Sequence, residues 1–397
     1  MLFGAQFLMT SYIAKHNSLE DYSFYTFALS ICTPIFLFFN MNSRVLIATN
    51  REKYDYFHWR NYRLLTLALA MSICLSLGYY ILGAYGLGLI AVLGGFRLMD
   101  GVYEWTYGFY VSGEKGERVG RSQIYRSLAL LLPIGIGLTP LVELSIVNLY
   151  LIVLILLAIV FFMIDWNHLH SDYRASGQAI NKTESTNVMA SIAVLALPLG
   201  LMGFVDSISL QIPKYGFKYF DLDTMVGVFT AIYVFVQTMS YLGFSVVNST
   251  MAATKDYYDK GNRLAIANII NKSNIAMLLS SILFIIGVYL LGGWALEVFY
   301  TPEIASYSTE FFYLSFTAIP LQLSLVFGYT LFSFGAYRQL LSISIATMLS
   351  ILLLSIMLIP QFSLLGGILA FGIGQLIKCL LFFFQYRLML RRLRPTT

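Results

Sequence analysis

Long apolar runs recur along this chain and are separated by short breaks rich in charge, glycine or proline. A helix that spans a bilayer needs roughly 20 mostly apolar residues. Of the 397 residues, 58% are hydrophobic and only 11% are charged, which leaves too little polar surface to cover a water-soluble domain of this size. The sequence therefore predicts an all-α polytopic membrane protein.

About twelve such runs can be separated, and each is a candidate spanning helix. Their bounds are 1–14, 24–43, 64–82, 89–112, 124–140, 145–164, 188–212, 224–248, 274–291, 309–332, 339–359 and 364–386. The first run is shorter than a full span. The predicted architecture has about twelve transmembrane helices.

The basic residues indicate the orientation of these helices. With the N-terminus inside, twenty of the 25 lysines and arginines fall in inner loops or the C-terminal tail, and three (Lys15, Lys214 and Lys218) fall in outer loops. Arg44, Arg63 and Arg126 are counted among the inner residues, and Arg97 and Lys378 lie within apolar runs. By the positive-inside rule, both termini are cytoplasmic. This placement accounts for the net charge of +5 without a nucleic-acid partner.

Two similar segments suggest that the chain is an internal duplication. "SLEDYSFYTFAL" at 18–29 returns as "DLDTMVGVFTAI" at 221–232, and "IATNREKYD" at 47–55 resembles "AATKDYYDK" at 252–260. Short matches of this kind also arise by chance in apolar sequence. A true duplication places six spans in each half, as in transporters with parallel repeats. It predicts an N-terminal lobe at 1–165, a cytoplasmic linker at 166–187 and a C-terminal lobe at 188–397.

The fourth run carries three charges on one helical face. Arg97, Asp100 and Glu104 follow each other at spacings of three and four residues, and Tyr107 continues the stripe. Each charge at mid-bilayer costs roughly 2.5–3.5 kcal/mol even on the mild insertion scale, so this face is expected to point into the protein. It either lines a binding cavity or consists of charges that neutralise each other and fix the bundle.

Further polar residues are candidates for the same cavity. Asp206 and Lys378 are flanked by apolar sequence, whereas Arg44, Arg126 and Lys214 sit near ends of runs, where they could equally snorkel to lipid headgroups. Arginine matches the oxygen geometry of phosphate. The eighth run adds a polar stripe around Gln237, which would bind hydroxyl groups or hold helices together.

Other kinds of site have little support in the sequence. The three cysteines, Cys32, Cys74 and Cys379, all lie in apolar runs and show no spacing typical of a metal site or a disulfide framework. Neither a Walker A sequence nor a Rossmann fingerprint is present. We expect no metal, no cofactor and no enzymatic activity.

Four segments of the chain are similar to those of a known family: "YIAKHNSLEDYSFYTFALS" (12–30), "RLMDGVYEWTYGFYVSGEKGERVGRSQIYRS" (97–127), "LPLGLMGFVDSISLQIPKYGFKYF" (197–220) and "MLIPQFSLLGGILAFGIGQLIK" (357–378). In these segments the chain resembles the Wzx-type polysaccharide flippases, which belong to the MATE-like MOP exporter superfamily. The resemblance implies two six-helix lobes around a cationic central cavity. Arg44, Arg97, Arg126, Lys214 and Lys378 stand where they could supply that charge.

What the resemblance implies for function is transport of an oligosaccharide repeat unit linked by pyrophosphate to undecaprenol. The unit would pass from the inner to the outer leaflet of the bacterial cytoplasmic membrane by alternating access. Arg97 is the leading pyrophosphate contact, with Tyr107 and Gln237 toward the sugars. Asp100, Glu104 and Asp206 are candidates for coupling to a proton or a monovalent cation. The alternatives are a MATE-like exporter of organic cations and a membrane glycan transferase or polymerase.

Overall fold

The computed structural model describes residues 2–50, 56–138, 144–169 and 185–392, and all regular elements in these ranges are helical. In chain order the helices are α1 (Leu2–His16), α2 (Leu19–Asn40), α3 (Ser43–Asn50), α4 (Tyr56–Ser112), α5 (Gly116–Gly137), α6 (Ile146–Val160), α7 (Ser185–Tyr219), α8 (Asp223–Asp259), α9 (Arg263–Phe299), α10 (Pro302–Ala305), α11 (Ser308–Ser315), α12 (Ala318–Ser333) and α13 (Tyr337–Arg392). A π-helix, Phe161–Trp166, continues α6.

Helix α4 is a hairpin of two antiparallel helices. Its 57 residues are interrupted at Gly83, whose φ of 69° and ψ of −171° are not helical. Gly78 lies against Ile90, Gly94 against Met71, and Gly101 against Arg63, so the two arms run back along each other from Gly83. The turn needs no polar loop because glycine adopts a positive φ without strain.

Helix α13 turns in the same way. Its 56 residues are interrupted at Ser363, which has a φ of 49°. Gly366 lies against Leu358, and Gly374 against Ile351. The breaks between predicted runs at 83–88 and 360–363 therefore contain only tight turns, at Gly83 and Ser363.

The described helices account for the predicted runs. Eight helical segments are long and apolar enough to cross a membrane, and two of them are the hairpins α4 and α13. With each hairpin counted as two spans, and with the shorter α1 and the more polar α5 added, twelve spans result. The all-α polytopic fold predicted from the sequence is confirmed.

The chain forms two compact units. The first contains Met1–Ile13 and Tyr25–Ser207, and the second contains Ala14–Phe24 and Ile208–Thr397. In the first, α4 packs against α3, α5 and α6; in the second, α12 packs against α8, α9 and α13. Most of the predicted linker, 170–184, lies outside the described residues. The division into lobes at 1–165 and 188–397 remains a prediction.

A sharp bend joins α2 to α3 in the first unit. Met41 and Asn42 both have positive φ, at 47° and 49°, a conformation that costs free energy for residues other than glycine. Packing stabilises the bend, because Met41, Leu46 and Ile47 are buried in a cluster with Trp59 and Trp105. Helix α3 thereby brings Arg44 toward Tyr107, with the guanidinium carbon 5.8 Å from the ring centroid.

Candidate functional site

Three charged residues meet inside the first unit, and we call Arg97, Asp100 and Arg126 the charge cluster. Asp100 accepts from Arg97 through Oδ2, at 3.3 Å from Nη1, and its Oδ1 pairs with Nη2 of Arg126. The side chain of Arg126 is 3% exposed, whereas those of Arg97 and Asp100 are 25% and 23% exposed. One carboxylate thus bridges two guanidinium groups, which leaves the cluster with a net positive charge.

The cluster joins three helices. Arg97 and Asp100 lie one turn apart on α4, and Arg97 Nη2 also donates to Oγ1 of Thr33 on α2, at 3.2 Å. Arg126 comes from α5, and its guanidinium stacks over the ring of Tyr103 at 4.1 Å from the centroid. Such stacking on an aromatic face suits the planar, weakly hydrated guanidinium group. The stripe predicted on α4 therefore faces other helices of its unit.

Glu104 lies one turn beyond Asp100 and is half-buried. Arg44, Arg63 and Arg126 all lie close enough to interact with its charge. Across the ranges that the structure covers, its carboxylate makes no ion pair or hydrogen bond. The three cations favour the charged form of this carboxylate and burial opposes it, and within the described residues no direct partner fixes the carboxylate in place.

Arg63, which the sequence places in an inner loop, is instead a buried cation within α4. Only 4% of the residue is exposed. Its guanidinium donates to the carbonyl oxygens of Gly101 at 3.1 Å and Phe39 at 3.0 Å, and to Oδ1 of Asn40 at 2.9 Å. Because the last carbonyls of a helix lack intrahelical donors, Arg63 satisfies the end of α2. Its position one residue before an apolar run gave no signal of this role.

Asp165 is a second buried acidic residue that sequence reasoning did not select. It lies in the π-helix after α6 and is 1% exposed. Its carboxylate accepts from Ser122 Oγ at 2.8 Å and from Tyr110 Oη at 3.1 Å. The sequence offered a weak signal, an aspartate directly after the apolar "FFMI", but it was taken as the boundary of the linker.

The other predicted site residues are distributed over both units. Arg126 and Lys214 are only 2% and 6% exposed, so the alternative that they snorkel to headgroups is wrong. In the first unit, Asp206 is half-buried on α7. In the second unit, Gln237 is half-buried on α8, and the Lys378 ammonium lies 5.6 Å from the Phe382 ring centroid.

Two of the cysteines form a pair. Cys32 on α2 and Cys74 on α4 are fully buried, with their sulfur atoms 3.2 Å apart. All three cysteines, which the sequence places in apolar runs, are buried; the pairing is not predictable from the sequence, because it depends on how α2 packs against α4. Within the described ranges no group of three or more His, Cys, Asp or Glu residues is arranged to hold a metal ion.

Comparison with known proteins gives one curated relative of nearly equal length. The chain is 24% identical over 383 residues to a capsular polysaccharide biosynthesis protein, CapF, of Staphylococcus aureus, covering 96% of this chain and 95% of that protein. No protein-family profile matches the chain.

Solved structures match the whole fold. A multidrug resistance MATE family transporter of the MOP superfamily, in an inward-facing conformation, superposes with a TM-score of 0.77 at 12% identity, covering 100% of this chain and 96% of that one. This chain has the same fold as that transporter. The lipid II flippase MurJ superposes with a TM-score of 0.72 at 12% identity, over 97% of this chain and 86% of MurJ. The predicted resemblance to MATE-like proteins is confirmed at the level of the fold, and the similarity to a capsular polysaccharide biosynthesis protein agrees with it.

Proposed function

We propose that this protein is a flippase for undecaprenyl-pyrophosphate-linked oligosaccharide repeat units. It moves them from the inner to the outer leaflet of the bacterial cytoplasmic membrane by alternating access, with both termini in the cytoplasm. The full-length similarity to a capsular polysaccharide biosynthesis protein and the fold shared with a lipid II flippase support this proposal. A multi-pass membrane protein of this fold fits transport better than glycan polymerisation.

The charge cluster is the observation that carries the proposal. A pyrophosphate is a dense anion, and guanidinium groups bind it through paired hydrogen bonds. The side chain of Arg97 is a quarter exposed, so its guanidinium group is accessible to an anion, whereas its Nε is buried and donates to no atom of the described residues. We assign Arg97 to the pyrophosphate and Arg126, which is buried behind Asp100, to holding that carboxylate in place.

The remaining predicted residues have supporting parts in this proposal. Arg44, Lys214 and Lys378 add positive charge along the path of the anionic headgroup. Gln237 contributes an amide for sugar hydroxyl groups. Tyr107 is fully buried, so we assign it to orienting Arg126 and not to direct sugar contact. Membrane lipids surround the polyprenyl tail throughout.

Ion coupling is assigned to the acidic residues. Asp100, Glu104 and Asp206 are the candidates, with a proton or a monovalent cation as the coupling ion. Glu104 is favoured among them because, within the described residues, its carboxylate makes no ion pair or hydrogen bond that would compete with a coupling ion. A change in its charge alters the field at Arg126 and, through Asp100, at Arg97.

Depletion of the protein in a cell that makes the glycan tests this function. We expect glycan-bearing undecaprenyl pyrophosphate to accumulate on the cytoplasmic side, and the wild-type gene to restore transfer. Arg97→Ala should reach the membrane at normal levels and fail to restore it. Normal surface glycan in depleted cells would remove the proposal.

An exporter of organic cations is the second candidate, because the matched MATE transporter shares the fold. The charge cluster argues against it, since Asp100 is already bound by two arginines and offers little attraction to another cation. Efflux of a lipophilic cation from loaded cells separates the two. Efflux that depends on the protein, with normal glycan transfer in its absence, would favour the exporter.

A further inference from the structure

A chain of hydrogen-bonding groups connects Asp165 to the charge cluster. The Ser122 hydroxyl donates to Asp165 Oδ2 at 2.8 Å, and the Tyr107 and Ser122 hydroxyl oxygens lie 3.0 Å apart. The Arg126 guanidinium is a neighbour of Tyr107 and stacks on the ring of Tyr103, which itself packs against the Tyr107 ring. Tyr107, Ser122, Arg126 and Asp165 are all 2% exposed or less, so the chain runs through the protein interior.

The direction of this chain is fixed by the chemistry of its ends. Arginine only donates hydrogen bonds, and an ionised carboxylate only accepts them. The single hydroxyl proton of Ser122 is donated to Asp165, so Tyr107 must donate to Ser122. The lone pairs of the Tyr107 hydroxyl oxygen then face Arg126. The negative charge of Asp165 therefore supports the position of Arg126 through two intervening hydroxyl groups.

The hydrogen bonds of Tyr110 can rearrange when Asp165 binds a proton. Its single hydroxyl proton has two acceptors, Oδ1 of Asp165 at 3.1 Å and the main-chain oxygen of Asp165 at 3.2 Å. If Oδ1 gains a proton, Tyr110 can donate to the main-chain oxygen and accept from the new acid group. Asp165 is thus hydrogen-bonded in both charge states, and a buried acid that is satisfied in only one would resist the change.

We infer that Asp165 is a proton-binding site that controls the position of Arg126 through Ser122 and Tyr107. This inference rests on the proposed flippase function. It takes the coupling ion to be a proton and assigns its binding to Asp165, which is not among the acidic residues named above. With Asp165 ionised, Arg126 is held between Asp100 and the hydroxyl chain. Protonation removes the charge at the far end of that chain and loosens Arg126 from Tyr107.

The groups around Asp165 are few. Helix α4 contributes Tyr103, Tyr107 and Tyr110, and α5 contributes Ser122 and Arg126. His168 lies near it on its own helical segment. The Arg118 guanidinium lies 5.9 Å from the Tyr110 ring centroid. Among the described residues, two arginines, one histidine and three tyrosines are therefore neighbours that can alter its proton binding.

Infrared difference spectroscopy on the purified wild-type protein, recorded across a pH series without substrate, tests the proton site. We expect a carboxylic acid C=O band that grows as the pH falls and is lost in Asp165→Asn, which keeps the shape and an acceptor oxygen. Tyr110→Phe should shift the pH at which the band appears. An unchanged band in Asp165→Asn would overturn the inference.

The link to Arg126 is tested in the same spectra. The guanidinium band of Arg126 is identified as the one that is lost in Arg126→Lys. In the wild type we expect this band to shift with pH. It should stay fixed in Ser122→Ala and shift in Ser122→Thr, which keeps a hydroxyl group. Ser127→Ala is the matched control, because Ser127 is buried on the same helix but donates to the Gln123 carbonyl at 2.7 Å. A guanidinium shift that persists in Ser122→Ala would overturn the link.

Transport provides an independent readout. In vesicles carrying labelled undecaprenyl-pyrophosphate oligosaccharide, we expect the pH dependence of flipping to be lost in Asp165→Asn and Ser122→Ala and kept in Ser127→Ala. Vesicles with no flipping by the wild type would count against the proposed function and leave the spectroscopic result standing. Flipping with an unchanged pH profile in Asp165→Asn would overturn the inference alone.

Discussion

Arg126→Ala is the substitution whose effect on stability follows most directly from the structure. Arg126 is 2% exposed and holds Asp100 by an ion pair. Removing one partner of a buried pair costs about 3–5 kcal/mol, because the other charge is left without compensation. Asp100 keeps Arg97 at 3.3 Å and is 23% exposed, so we expect a loss near the lower limit, about 3 kcal/mol.

Asp100→Asn provides the test of this reasoning. If the cost of Arg126→Ala arises from the stranded carboxylate, the same substitution should cost about 1–2 kcal/mol less in an Asp100→Asn background, within the range of couplings between contacting residues. The free energy of unfolding of the four proteins can be measured in mixed micelles by denaturant titration. Equal costs of Arg126→Ala in both backgrounds would refute the account of the pair.

Arg121→Ala is the matched control for charge removal on α5. Arg121 pairs with Glu117 at 2.6 Å, but both side chains are largely exposed, at 69% and 76%. Exposed pairs of this spacing contribute about 0.3–0.5 kcal/mol. A loss in Arg126→Ala as small as that in Arg121→Ala would contradict the burial argument.

Two further substitutions test the packing. Arg63→Ala should lower the free energy of unfolding by about 3 kcal/mol or more, because the carbonyls of Phe39 and Gly101 and the amide oxygen of Asn40 lose the hydrogen bonds that Arg63 donates. Arg60→Ala, on the same helix beside Asn61, should change it little, and similar losses in the two variants would contradict this explanation. Gly243→Ala should cost about 1–3 kcal/mol, as overpacked cores do, because a methyl group there would overlap Oε1 of the buried Gln322; an unchanged denaturation curve would show that the helices separate freely.

The helices could be predicted from the sequence because membrane spans are specified locally. A run of about 20 apolar residues is readable without knowledge of its neighbours. The i, i+3 spacing of Arg97 and Asp100 likewise places both on one face of α4. The turns at Gly83 and Ser363 were predicted as loops, because nothing in the hydropathy pattern shows that helical backbone continues to the turning residue.

The partners across helices could not be predicted in this way. Arg126 reaches Asp100 from another helix, and Arg63 reaches the end of α2; both depend on tertiary packing that residue spacing does not encode. Each arginine stands near the end of an apolar run, where an interfacial position is the usual interpretation. Asp165 was missed for the same reason, since its partners Ser122 and Tyr110 come from α5 and α4.

Leaflet transfer by the purified protein tests the central claim most directly. The protein would be reconstituted into vesicles with fluorescent undecaprenyl-pyrophosphate oligosaccharide, and the fraction of lipid that an impermeant quencher reaches would be followed over time. The account predicts that the wild type and Arg121→Ala bring nearly all of the lipid within reach, whereas Arg97→Ala leaves the inner-leaflet fraction protected. Transfer by Arg97→Ala at the wild-type rate, or no transfer by the wild type, would contradict it.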